Sequence, residues 1–162
     1  MPRILRTDLP DGYFHLTARA VHATPLFRDD EDRHAFLVLL KRAVRRWNLG
    51  LHAYCLMGTH YHAVVDGPVE RLSPALQWLQ GHYAREHNAR HGRRGALFGE
   101  RYSSWVIHDE EHFHATLAYV LANPVRAGLV RDPAAWPWSA VRPKSEHPFG
   151  HDRPAKLACY GS

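Results

Sequence analysis

Cysteine is nearly absent: Cys55 and Cys159 are the two in 162 residues, far apart and outside any metal-type spacing. That sets aside a disulfide framework and makes a reducing cytoplasm the simplest expectation. Long apolar runs are missing as well, so no bilayer span and no membrane partner are expected. The opening stretch, MPRILRTDLPDG, lacks the apolar core of a secretory leader. No internal repeat is visible. Acidic residues are the minority charge, 16 against 21 lysines and arginines, for a net charge of +5 and a pI of about 9.5. Arginine dominates the basic side, and its planar fork pairs with phosphate. A polyanionic partner is favoured, with a merely basic soluble protein as the alternative. Hydrophobic content of 45% and charged content of 23% over this length suit one domain with its own core.

What is present is a set of well-marked segments. Residues 12–21 alternate, with Phe14, Leu16, Ala18 and Ala20 on one side and Tyr13, His15, Thr17 and Arg19 on the other, as in a half-buried strand. Residues 28–50 read as a helix with Asp29 to Asp32 at its start and Lys41, Arg42, Arg45 and Arg46 near its end. Its expected buried stripe is Phe36, Leu37, Leu40, Val44 and Trp47. Residues 51–57 and 60–66 read as a hairpin joined by Gly58-Thr59, a loop suited to a type II′ turn. A second helix is expected from Ser73 as cap and Pro74 in its first turn, with Leu72, Leu76, Leu79 and Tyr83 inward. A Gly/Arg-rich loop leads to a strand at 102–108. A third helix should end at Asn123-Pro124, and Gly128 should close a last turn. The order β-α-β-β-α-β-α predicts an α+β ferredoxin-like sandwich with an antiparallel four-stranded sheet and an additional C-terminal helix. We expect one domain over 1–142 and a Pro-rich tail over 143–162.

Fourteen histidines in 162 residues supply about one His-x-His by chance, and this chain has two: HYH at 60–62 and HFH at 112–114. Geometry separates them. On a strand, residues i and i+2 face the same way, so His60 and His62 can share an ion. On a helix they are ~200° apart, so His112 and His114 cannot. Two imidazoles leave a metal site incomplete. The third helix offers Tyr119 and Asn123, four apart and therefore on one face, although a tyrosine on a helix edge is also an ordinary structural residue.

The motifs HAYCLMGTHYHAVV, LAYVLANPVRAGLV and WPWSA, with YFHLTARAV, LFRDDEDRHAFLVLL and LSPALQWLQGHYAREHNARHG, lie in order over residues 13–140. Together they resemble the REP-associated tyrosine transposases, relatives of the single-tyrosine transposases of small insertion sequences within the HUH endonuclease superfamily. The resemblance implies a ferredoxin-like fold and cleavage of single-stranded DNA beside hairpin-forming repeats. It implies His60 and His62 as the HUH pair, with Tyr61 between them, Tyr119 as nucleophile and Asn123 as third ligand to Mg²⁺ or Mn²⁺. It also implies a covalent 5′-phosphotyrosine and a free 3′-OH. One departure is visible: Gly58-Thr59 stands where the family commonly has Pro-Asn.

A tyrosine ionises near pH 10 when free, so such a nucleophile needs its proton removed or its charge stabilised. Imidazoles alone would also suit Zn²⁺. For DNA contacts we expect Arg90, Arg93, Arg94 and Arg101 of the Gly-rich loop, and His15 and Arg19 if their strand face is the one carrying His60 and His62. The cluster from Lys41 to Arg46 is a further candidate or a solvated helix end. Phe98, Tyr102 or Trp105 can stack on bases, with core packing the expected role of Trp105, and Trp136 and Trp138 should pack the chain end onto the domain. The rival functional readings are a DNA-binding regulator that does not cut and a metal-binding domain without DNA. Sequence leaves the oligomeric state open.

Overall fold

The computed structural model describes residues 12–143. The tail expected over 143–162 lies outside them apart from its first residue, as does Cys159. Strand β1 (Gly12–Arg19) realises the predicted alternation, burying Phe14, Leu16 and Ala18 and turning His15, Thr17 and Arg19 to the other face. Helix α1 (Asp30–Arg46) is capped by the Asp29 carboxylate, which accepts the Asp32 N–H at 2.9 Å. Its buried stripe is Phe36, Leu39, Leu40 and Ala43. Leu37 and Val44 are only partly buried, and Trp47 rests beside Trp78 under the Arg46 guanidinium.

Strands β2 (Gly50–Leu56) and β3 (His60–Gly67) form the hairpin. Its turn is not type II′, because that type needs a positive φ at Gly58, and the positive-φ glycines of the described chain are Gly67, Gly92, Gly95 and Gly128. The turn is shaped from outside instead. The Gly58 carbonyl accepts the N–H groups of Leu26 and Phe27, and the Thr59 carbonyl accepts that of Ala20. Helix α2 (Leu72–His91) follows a 3-10 turn (Val69–Arg71) without a side-chain cap. Ser73 lies inside the helix, accepting a bond from Gln77, so the expected cap role is not taken. Leu72, Leu76, Leu79 and Tyr83 are buried as predicted, and Gly92 ends the helix at φ 61°.

After β4 (Ser103–Ile107), α3 runs from Glu110 to Arg126 with Pro124 inside it, past the expected boundary. Proline has no N–H for the carbonyl four residues back. Here that carbonyl, Val120 O, accepts the Asn123 side-chain amide at 3.2 Å. The helix then closes in a Schellman motif: Leu129 N–H bonds to Pro124 O, and Gly128, at φ 73°, bonds to Val125 O. A short fifth strand, β5 (Ser139–Val141), pairs with β2. The sheet is therefore five-stranded and antiparallel, in the order β4-β1-β3-β2-β5, which keeps the ferredoxin-like β-α-β-β-α-β plan and adds an edge. Helices α1 and α2 cover one face, sealing Phe14, Leu16, Tyr61, Ala63 and Val65. Helix α3 covers part of the other, with Phe113, Leu117 and Val120 against Ala53, Cys55 and Val64. Trp136 and Trp138 tie the chain end to the hairpin, through Trp136 Nε1 to Leu56 O at 3.0 Å and Leu56 N to Trp138 O at 2.8 Å. No helix among the described residues is long and apolar enough to cross a membrane.

Candidate active site

The α3 layer leaves one end of its sheet face open, and the polar residues of β1 and β3 meet there. The antiparallel register sets Thr17 opposite His62 and Arg19 opposite His60. Because side chains alternate, His15, Thr17, Arg19, His60 and His62 share this face. The His60 and His62 ring centroids are 5.2 Å apart. His62 Nδ1 lies 3.0 Å from His15 Nε2. His60 Nδ1 lies 3.2 Å from Thr59 Oγ1, which also accepts from Arg19 Nη1 at 3.3 Å. With the protons on Nδ1 of both rings, each imidazole donates to its support, and both Nε2 lone pairs stay free for a ligand. Thr59, in the position where the family pattern has Asn, supplies this support.

Burial keeps these rings uncharged. It pulls His62 down to about 3, with His15 and His60 adding to the effect. It pulls His60 down to about 4, aided by Arg19, and His15 down to about 4, aided by His112. Neutral imidazoles are the form that binds a metal.

Tyr119 projects from α3 into the same cleft and is 46% exposed. Its ring lies 6.1 Å from that of His62 and 5.8 Å from that of His15. The Arg126 guanidinium stacks 4.0 Å over the Tyr119 ring and donates to Asn123 Oδ1 at 3.1 Å. Asn123 is buried one turn after the tyrosine, and its amide nitrogen binds the carbonyls of Tyr119 and Val120. Those contacts fix the amide orientation, leaving one Oδ1 lone pair beside Arg126. Arg126 escaped the sequence reading. Its helical spacing of seven from Tyr119 and three from Asn123 was the signal available. His60 and His62 present to the cleft two neutral imidazoles, a donor type that suits a divalent ion, whereas the Asn123 amide oxygen is held by Arg126.

His15, Thr17, Arg19, His60, His62, Arg101, Trp105 and Tyr119 line a cleft of about 630 Å³. A second hollow of about 580 Å³ adjoins it, between Trp105, His108, His112 and Tyr119. Trp105 is half exposed, 5.2 Å from His15, and does not pack in the core as expected. Its β4 position next to β1 turns the indole to the site face, whereas Tyr102 is buried and Phe98 packs on the core. Among the arginines singled out from sequence, Arg19 and Arg101 reach the cleft. Arg90 is held instead by Asp29, Glu31 and Asp32 at 2.6–2.9 Å. Arg93 bonds to Asn88 and to the carbonyls of Gly95 and Ala96, and Arg94 is exposed on that loop.

The fold is shared with solved structures. A REP-associated tyrosine transposase bound to a REP hairpin aligns over 95% of this chain and 93% of its own, with a TM-score of 0.73 and 16% identity. A putative transposase from Deinococcus radiodurans R1 aligns over 76% of this chain and 95% of its own, with a TM-score of 0.50 and 18% identity. No curated protein matches the chain. The model of the IS200-like transposases matches residues 9–123, which takes in the histidine hairpin and the Tyr119–Asn123 turn of α3, and the chain belongs to that family.

Proposed function

We propose that this chain cuts and rejoins single-stranded DNA beside hairpin-forming repeats, through a 5′-phosphotyrosine on Tyr119. Membership of the IS200-like transposases makes it a DNA-processing protein; the chemistry is our reading. One observation carries it: two histidines of β3 and a tyrosine of α3, 57 residues beyond His62, converge in one open cleft, with the His62 and Tyr119 ring centroids 6.1 Å apart. His60, His62 and Asn123 would hold Mg²⁺ or Mn²⁺, which when bound would polarise the scissile phosphate.

The protein's own groups do the rest. Tyr119 Oη forms the bond to phosphorus, the bond from phosphorus to the 3′ oxygen breaks, and the phenolic proton is balanced by the proton gained at that oxygen. Bond energy is kept in the phosphotyrosine, so the 3′-OH of a strand can reverse the step. Arg126 holds the Tyr119 ring and places positive charge beside it, which favours a developing phenolate. Arg19 and Arg101 line the route of the DNA backbone, Arg94 extends it along the loop, and Trp105 offers an exposed face to a base. Arg90 and Arg93 shape that loop through the bonds they already make. The likeness to a transposase bound to a REP hairpin supports a hairpin-bearing substrate.

The test uses a labelled single strand carrying a hairpin, with Mg²⁺ or Mn²⁺. The expected result is a protein–DNA adduct that survives denaturation, needs the metal and is absent from Tyr119→Phe, which still binds. Tight binding without an adduct across a panel of hairpins would instead indicate a non-cutting regulator.

A further inference from the structure

On the opposite side of the sheet, between α1 and α2, a second set of ligand-type side chains converges. His87 and His91 are four apart on α2, so both face Asp32 in the first turn of α1. The ligand atoms of the three lie within 4.8 Å of one another. His91 Nε2 is 2.9 Å from both Asp32 oxygens, and His87 Nε2 is 3.8 Å from Oδ2. In a tetrahedral zinc site with bonds near 2.0 Å, ligand atoms are about 3.3 Å apart; the two contacts to Asp32, at 2.9 and 3.8 Å, bracket that spacing, and small side-chain adjustments close the set on an ion.

The independent sign is His87. Its side chain is fully buried, yet neither ring nitrogen has a hydrogen-bond partner. Orphaned buried polar atoms are costly and rarely left unexplained. Three carboxylates, Asp29, Glu31 and Asp32, lie at this end of α1 and share the Arg90 guanidinium, with Arg28 and Arg93 also near His87. Arg90 takes Asp32 Oδ1, and the Arg28 N–H takes Oδ2, so the carboxylate is oriented from outside as a metal-binding carboxylate usually is.

We propose that Asp32, His87 and His91 form a structural site for a transition-metal ion of the Zn²⁺ class, distinct from the cleft of Tyr119. The ion clamps the start of α1 to the end of α2, where the chain enters the loop that delivers Arg101 to the cleft.

The test uses the full chain carrying His15→Ala, His60→Ala and His62→Ala, so that the three imidazoles clustered on β1 and β3 cannot contribute and the outcome is independent of the DNA chemistry. After incubation with Zn²⁺ and gel filtration, about one equivalent of zinc should be retained, and the melting temperature should exceed that of the chelator-treated chain. Adding His87→Leu should weaken zinc binding by at least roughly tenfold, the loss that even an outer-shell change causes at metal sites, and remove the zinc-dependent rise. Its metal-free melting point should not fall much, because leucine leaves no unpaired polar atom in the buried position. His91→Gln, at the wetter edge, provides the same comparison if the leucine variant does not fold. Failure of the parent to retain zinc, or undiminished retention in both variants, would overturn the proposal; the first result means that water alone serves His87.

Discussion

The two imidazoles proposed as ligands each touch a neighbour at Nδ1: Thr59 for His60 and His15 for His62. Such partners fix ring orientation and tautomer, and losing one typically costs 10–100-fold in metal affinity or activity, by about the same physics at any site. We expect Thr59→Val and His15→Ala to raise the Mn²⁺ concentration for half-maximal adduct formation by roughly 10–100-fold while moving the melting temperature little. Equal adduct formation at all Mn²⁺ concentrations would count against a supporting role. The convergence of His60, His62 and Tyr119 on one cleft was readable from sequence because strand and helix periods decide which side chains can meet, and the same rule discarded His112 and His114. Their supports were not. Thr59 touches His60 through a turn whose conformation depends on residues 20–27, and His15 meets His62 only once β1 pairs with β3 in one register.

At the level of elements, the sequence reading failed where a local rule was overruled by a distant or unusual partner. Gly58 suggested a self-contained turn, but two N–H groups from residues 26 and 27 dictate its shape. Proline suggested a helix end, but Asn123 supplies the missing hydrogen bond to Val120 O. That makes Asn123 both a helix-mending residue and the proposed third ligand, and the two roles separate by mutation. Asn123→Ala should destabilise the protein by about 1–2 kcal/mol, the cost of an unsatisfied buried carbonyl. Asn123→Ala with Pro124→Ala restores an N–H at that position and should regain most of the loss in chemical denaturation. Adduct formation should stay low in the double variant. Recovery of full adduct yield along with stability would show that Asn123 serves the helix alone. The one strand missed, β5, has three residues, too few for alternation to register among prolines and tryptophans.

For the whole molecule, the fold class was legible because the order of elements fixes few alternatives, and the family motifs fixed the rest. The cleft predicts that the fold weakens in acid. His15 and His60 titrate near 4 and His62 near 3 in the fold, against about 6.5 when unfolded. The unfolded chain therefore binds more protons between those limits, so stability rises with pH across them. It is complete above about pH 6.5 and falls as pH drops toward 4. Asp29, held below the ordinary carboxylate range by Arg90, and Asp66, held there by His52, add their loss only at lower pH. Melting curves in EDTA should trace this decline, and a chain with all three histidines replaced by glutamine should be flatter between pH 6.5 and 4. An equal slope in both would assign the acid sensitivity elsewhere.

The alternation of β1 and β3 also bears on how this protein tolerates change in length. One set of side chains, Phe14, Leu16, Tyr61 and Val65, builds the interior, and the interleaved set lines the cleft. A single inserted or deleted residue within either strand would exchange the two sets at a stroke, sending imidazoles into the core and Tyr61 into the cleft. Gains and losses of residues should therefore be confined to the connections, and the strand lengths from Gly12 to Arg19 and from His60 to Gly67 belong to the proposed site as much as any side chain in it.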